Sequence, residues 1–212
     1  MGCNTLFLPD DLLKKVQFDI FKKTFEGMAI RGRPYKGVLY LGGMVVRQNG
    51  TNPFVIEFNA RWGDPEAQII VPSLVVNLFE AGIAIAQGDI SHFRFKTDGK
   101  TRVVVTGASR GYPGAYKAIL GKEIFGINDA RKKEGITIYG AGMKVTEGKY
   151  FASGGRLFYV VSEGKTVAEA QERAYDAMSA IHIEGNGLHY RTDIGWRATR
   201  RETTAAYPLI SS

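Results

Sequence analysis

The hydrophobic period of the chain changes abruptly after Pro34, and that change constrains the fold more than any other feature. From Asp10 to Ile30, the residues Leu13, Val16, Ile20, Phe21, Phe25 and Met28 recur at helical spacings, which predicts an amphipathic helix. Pro9 stands just ahead of it, Asp10 and Asp11 suit the positive end of the helix dipole, and Gly32 and Pro34 end it. Gly37 to Val46 is then rich in β-forming residues, Asn49-Gly50 offers a turn, and Phe54 to Phe58 reads as a second strand. The two strands predict an antiparallel hairpin.

Asp64-Pro65-Glu66 has the form of a helix opening, with Asp as cap and Pro at the first helical position. Helical character runs on through Ala81, interrupted near Pro72. From about Ser91 the composition shifts to short strands: Phe93 to Phe95, Arg102 to Val105, Ile136 to Tyr139 and Leu157 to Val161. Glycine-rich turns separate them at Gly111 to Gly114, Gly140 to Gly142 and Gly154-Gly155. Thr166 to Ile181 predicts a helix, with Thr166 and Glu169 at capping-box spacing and Val167, Ala170, Ala174 and Met178 on one face. Residues 199–212 show no periodicity and are expected to form a flexible tail. No internal repeat is present. The reading is an α+β chain of two units, 1–90 and 91–198, meeting near residue 90.

Composition narrows the class further. A hydrophobic fraction of 44% with 23% charged residues is ordinary for a soluble globular protein. The single cysteine, Cys3, excludes an internal disulfide and fits a reducing compartment. The longest apolar run, Ile69 to Phe79, is interrupted by Pro72, Ser73 and Asn77 and is too short to span a membrane. The first residues lack a basic start and an apolar stretch, so a cytoplasmic protein with no membrane partner is expected. Lys+Arg 28 against Asp+Glu 21 gives a net charge of +7, which favours anionic ligands in general. The basic residues are scattered, without a stripe interleaved with aromatics, so the surface reads as solvated and nucleic acid is not an expected partner.

Chemistry concentrates between Val55 and Glu66. Strand alternation puts Glu57 and Asn59 on one face and Phe58 on the other. A carboxylate and a carboxamide there offer hard oxygen ligands, and magnesium typically takes one or two carboxylates plus phosphate oxygens and water. Arg61 continues that face, with a guanidinium able to fork onto phosphate or carboxylate. Asp64 stands at the mouth of the following helix, placed to hold Arg61 or to meet a substrate amine. For a lone Glu-x-Asn, an edge-strand charge beside turn residues would be the better reading. Arg61 and Gly63-Asp64-Pro65-Glu66 at this spacing favour the functional one. Arg156, after two glycines, is placed to approach a phosphate or to form a structural salt bridge; Arg191 and Asp193 either pair or contact a ligand. No Ser/His/Asp or Cys/His set stands out, and His92, His182 and His189 lack metal-ligand spacing.

The segment Glu57-Phe58-Asn59-Ala60-Arg61-x-Gly63-Asp64-Pro65-Glu66-x-Gln68 resembles the one that closes the ATP-grasp site of phosphoribosylamine–glycine ligases. Pro34-Tyr35-Lys36-Gly37-Val38-Leu39-Tyr40 is similar to that family's preceding strand, and Met1-Gly2 to the end of a glycine-rich segment before the first helix. Gly111-Tyr112-Pro113-Gly114, Ser153-Gly154-Gly155-Arg156 and Tyr190-Arg191-x-Asp193-Ile194-Gly195-Trp196 resemble, in order, three landmarks of its terminal domain. The resemblance covers roughly Met1 to Ala198. It implies the carboxyl-terminal half of an ATP-grasp domain followed by a small mixed α/β domain.

It further implies that Glu57 and Asn59 are magnesium or manganese ligands bridging the ATP phosphates, that Arg61 and Asp64 are catalytic, and that Arg156 and Arg191 contact substrate. The implied partners are ATP, glycine and 5-phosphoribosylamine, joined through a glycyl phosphate into glycinamide ribonucleotide. Departures remain. Family members are considerably longer, and the resemblance implies that the half gripping adenine and the α- and β-phosphates is not among these 212 residues. Tyr139-Gly140-Ala141-Gly142-Met143 differs from the family's usual turn, and the strand from Gly37 to Val46 carries no carboxylate. The chain is thus expected either to be inactive alone or to complement a separate amino-terminal chain. A non-catalytic binding module, motivated only by the +7 charge, is the reading from another class.

Overall fold

The computed structural model of the protein describes residues 1–5, 8–46 and 51–200. Strand β1 (Gly2–Asn4) opens the chain. The expected long helix follows as α1 (Asp10–Lys15), a π-helical stretch (Val16–Lys22) and α2 (Lys23–Ile30). It stops where expected, with Gly32 at a positive φ of 71°. Strand β2 (Tyr40–Val46) begins at Tyr40 rather than Gly37, because its first partner, Asn59, is the last residue of β3 (Asn52–Asn59). The hairpin is antiparallel as predicted, while the Asn49-Gly50 turn lies outside the described residues.

The helix opening expected at Asp64 is not formed. The Asp64-Pro65 bond is cis, and α3 (Ala67–Ile70) starts beyond it with no side-chain cap. A 3-10 turn (Val71–Ser73) follows, and Pro72 breaks the helical run as expected. Then α4 (Leu78–Gln87) starts at Asn77, whose side-chain oxygen accepts from the N–H groups of Phe79 and Glu80 at 3.1 and 3.3 Å. Phe93 to Phe95 is not a strand: the Phe93 and Phe95 rings stack 6.0 Å apart, and no ladder pairs the segment among the described residues. Alternating aromatics alone do not make a strand where no partner edge is offered.

The remaining elements are β4 (Thr101–Ser109), β5 (Glu123–Phe125), α5 (Ile127–Arg131), β6 (Ile136–Gly140), β7 (Met143–Thr146) and β8 (Lys149–Ala152). They are completed by β9 (Arg156–Gly164), α6 (Val167–Ser179), β10 (His182–Ile183) and β11 (Leu188–His189). One sheet runs β1-β4-β9-β6, with β11 also on β4; a second runs β10-β5-β8-β7; every pairing is antiparallel. The α+β class follows. At the start of α6 the Thr166 hydroxyl accepts from the Glu169 N–H at 3.1 Å. The Glu169 carboxylate accepts from the Lys165 N–H at 2.7 Å, one residue earlier than in a standard capping box.

Strands β4 and β9 read as continuous apolar runs because both faces of their sheet are covered. Val103, Val105, Phe158 and Val160 cluster with Ala170, Ala174, Ala177 and Met178 of α6. On the other face Val104, Tyr159 and Val161 cluster with Ile69.

By its contacts the chain falls into two compact units, drawn differently from the expected division near residue 90. Among the described residues, the first joins 1–5, 64–73 and 97–200, and the second comprises 8–46, 51–63 and 74–96. The physical reason is pairing: β1 is hydrogen-bonded to β4, and Ile69 belongs to the Val104–Tyr159–Val161 cluster. The second unit buries Leu12, Ile20, Ala81 and Ala84 but exposes Phe18, Phe25, Ile30, Met44, Ile56 and Phe79. Of the expected tail, residues 199 and 200 are helical, and 201–212 lie outside the described residues. Among the described residues no helix is long and apolar enough to cross a membrane.

Candidate functional site

The first cluster is on the hairpin. Alternation along β3 puts Glu57 and Asn59 on one face, and the Asn59 amide donates to Glu57 Oε1 at 3.0 Å. Across the ladder Glu57 faces Gly42, where a β-carbon would come within 2.8 Å of the Glu57 Cγ. Glycine there leaves the room in which the carboxylate lies. The internal hydrogen bond uses one carboxylate oxygen and the amide N–H. Glu57 Oε2 and Asn59 Oδ1 remain as oxygen donors. No group of three or more His, Cys, Asp or Glu suited to a metal occurs among the described residues. A two-oxygen set nevertheless fits an ion such as magnesium that completes its shell with phosphate and water. Arg61 is exposed, and its Nη1 donates to the Trp62 carbonyl at 2.7 Å.

The second cluster surrounds a cavity of about 380 Å³ in the first unit, whose lining includes Thr106, Tyr112, Arg156, His189, Tyr190 and Arg191. Arg156 and Arg191, singled out separately in the sequence, therefore meet at one cavity. Arg191 forks onto Asp193 with bonds of 2.7 and 2.6 Å, which raises the arginine and lowers the aspartate from their ordinary pKa values. Arg156 Nη1 lies 2.7 Å from Asp64 Oδ2, and Asp64 Oδ1 accepts from the Tyr159 hydroxyl at 2.8 Å. Asp64 is thus neither a helix cap nor the partner of Arg61: its carboxylate is taken up by Arg156 and Tyr159. Burial first, and the Asp64 carboxylate second, push Tyr159 up to about 12, so it remains a donor at any physiological pH.

A bulge makes this arrangement possible. Arg156 pairs with Ala108 and Tyr159 with Thr106, so three steps along β9 oppose two along β4. Without the extra residue, Arg156 and Tyr159 would point to opposite faces; with it, both reach Asp64. The Gly111 to Gly114 turn contributes Tyr112, whose ring occupies the space that Gly155 leaves open; a β-carbon there would collide with it. The Thr106 hydroxyl is buried and has no hydrogen-bond partner among the described residues. Tyr159, Thr106 and His189 were not legible as site residues. Tyr159 sits inside a run that reads as a strand, Thr106 directly follows another, and no local pattern marks a bulge.

These geometries meet the comparisons with known proteins. Residues 1–67 match the family described as Phosphoribosylglycinamide synthetase, ATP-grasp (A) domain, and residues 102–197 match Phosphoribosylglycinamide synthetase, C domain. The chain is 37% identical over 200 residues to the chloroplastic phosphoribosylamine–glycine ligase of Arabidopsis thaliana, covering 93% of this chain and 37% of that protein. It is 39% identical over 194 residues to the phosphoribosylamine–glycine ligase of Escherichia coli O157:H7, covering 91% and 44% respectively. The crystal structure of the Thermotoga maritima phosphoribosylamine–glycine ligase superposes with a TM-score of 0.74 at 33% identity, covering 92% of this chain and 46% of that one. The chain spans less than half the length of each of these relatives. With two matched domains in order, the chain belongs to the phosphoribosylamine–glycine ligase family and corresponds to its carboxyl-terminal part.

Proposed function

We propose that the chain supplies the metal-holding and phosphosugar-holding residues of an ATP-dependent ligase of purine synthesis, acting in the cytoplasm, that joins glycine to 5-phosphoribosylamine. The observation that carries this reading is the Glu57–Asn59 pair, set on one face of β3 opposite a glycine. In the proposed reaction a glycine carboxylate oxygen attacks the γ-phosphorus of ATP and ADP leaves. The amine of 5-phosphoribosylamine then attacks the acyl carbon, loses a proton, and expels phosphate to give glycinamide ribonucleotide. Glu57 and Asn59 would hold a magnesium or manganese ion, which when bound would supply positive charge against the transferring phosphoryl group.

Glu57 and Asn59 are the proposed ligands of that ion, and Arg61 at the strand end meets phosphoryl charge. Arg156 and Arg191 are the proposed contacts of the sugar phosphate. Each is oriented by its own carboxylate, Asp64 and Asp193, which steadies the guanidinium without removing all its donors. In this scheme Asp64 acts through Arg156 rather than through Arg61.

The chain alone is proposed to be inactive. It spans under half of its relatives, and the second unit leaves Phe18, Ile30, Ile56 and Phe79 exposed, which is apolar area suited to a partner segment. The proposed occupant is the amino-terminal portion that the relatives carry. The test is an ATP- and glycine-dependent ligation assay of the purified chain, with and without that portion supplied from a relative. No turnover alone and roughly 1 per second when reconstituted is expected. Turnover by the chain alone removes the requirement for a second half. An associated but inactive pair overturns the ligase reading.

A further inference from the structure

We infer that Tyr159 is a positioning residue for substrate capture, setting through Asp64 the direction in which Arg156 presents its guanidinium to the cavity. The inference rests on the reading of that cavity as the phosphosugar site. Tyr159 is not among the cavity's lining residues, so it acts only through its neighbours. Its ring is buried with Ile69, Val104 and Val161, so the sheet dictates where its hydroxyl points. That hydroxyl donates to Asp64 Oδ1 at 2.8 Å, leaving Oδ2 for Arg156 Nη1 at 2.7 Å.

The three residues differ in mobility. The Arg156 side chain keeps 32% of its exposure, as does that of Asp64, whereas Tyr159 is 5% exposed. A long cationic side chain loses rotamer freedom when a ligand immobilises it, which weakens binding. A carboxylate already locked by a buried phenol removes much of that loss before the ligand arrives. The β9 bulge supports the same reading. It places Arg156 and Tyr159 on one side, where both reach a single carboxylate, although their spacing along the strand would separate them.

The test uses the full chain, with ribose 5-phosphate as probe and ribose as its uncharged control. Calorimetric titration gives the affinity, and the side-chain Nε–H resonance of Arg156 in labelled protein reports guanidinium order. Tyr159→Phe keeps the ring and is expected to weaken ribose 5-phosphate about tenfold, as loss of a hydrogen bond to a charged group does. The melting temperature should fall by only a few degrees, and the Arg156 resonance should broaden. Arg156→Ala should weaken binding at least as much, and adding Tyr159→Phe to it should change nothing further, since coupled residues are not additive. A purely structural tyrosine would instead act equally in both backgrounds. If Tyr159→Phe fails to fold, Asp64→Asn carries the same readouts. Equal binding of ribose and ribose 5-phosphate, or no binding, overturns the cavity reading and the inference with it. Binding lost in Arg156→Ala but unchanged in Tyr159→Phe or Asp64→Asn overturns the inference alone.

Discussion

Glu57→Gln is expected to lower turnover of the reconstituted ligase by about 10²–10³-fold, the loss typical when one group that stabilises transition-state charge is removed. Glu57 is exposed on β3, so its loss should leave the melting temperature of the chain almost unchanged. The argument is one of charge. Glutamine preserves the size and the hydrogen bond with Asn59 but removes the anion that draws a divalent cation. The requirement for magnesium or manganese should therefore rise to much higher metal concentrations. Manganese binding in the presence of ATP, followed by electron paramagnetic resonance, checks this without relying on turnover. Gly42→Val gives an independent check through space: its side chain would occupy the room in which Glu57 lies and should reproduce much of the loss. Near-normal turnover in Glu57→Gln, with an unchanged metal requirement, would remove Glu57 from the proposed site.

The largest stability effect is expected at Arg102, whose side chain is 3% exposed and holds two carboxylates. Its Nη1 and Nη2 fork onto Asp98 at 2.9 and 2.6 Å, while Nη2 and Nε reach Glu163 Oε1 at 2.6 and 3.1 Å. Lys100 binds the other oxygen of Glu163 at 2.8 Å. Removing one member of a buried pair costs about 3–5 kcal/mol, because the partner charge is left uncompensated. Asp98 and Glu163 retain 24% and 33% of their side-chain exposure, so water relieves part of that cost and the lower end applies. For a chain of this length Arg102→Ala should lower the melting temperature by roughly 6–12 °C at neutral pH.

The pH dependence has a definite sign. Hydrogen bonds from Arg102 hold Asp98 at about 2, below its ordinary 3.8. Burial pushes Glu163 up, but hydrogen bonds from Lys100 and Arg102 more than offset it, and its pKa is lowered. Both folded-state values are depressed, so their contribution is fully present above the ordinary carboxylate range and is lost as pH falls through the depressed values. The advantage of the native chain over Arg102→Ala should be constant near neutrality and shrink between about pH 4 and pH 2. Calorimetric melting of both proteins across that range is the measurement. A gap below about 2 °C at pH 7, or one that does not narrow in acid, would show that the cluster is solvated and weak.

How much of this was legible before the structure depends on whether a property is local. The Asp10 to Ile30 and Thr166 to Ile181 helices and the hairpin follow from periods of 3.6 and 2, which the backbone imposes on neighbouring residues. The shared face of Glu57 and Asn59 has the same origin: two residues apart on a strand point the same way whatever lies elsewhere. Asp64 shows the limit. Its sequence setting reads as a helix cap, yet its carboxylate finds Arg156 and Tyr159, more than ninety positions along the chain. Likewise β1 joins the sheet of β4, while Phe93 to Phe95, strand-like by composition, finds no ladder among the described residues. The meeting of Arg156 with Tyr159 depends on one extra residue in a register between distant strands. Spacing along the chain determined which side chains share a face, because covalent geometry sets it. The tertiary structure alone decided which partners those faces met, because strand register and the filling of a common core are set by residues far apart in the chain.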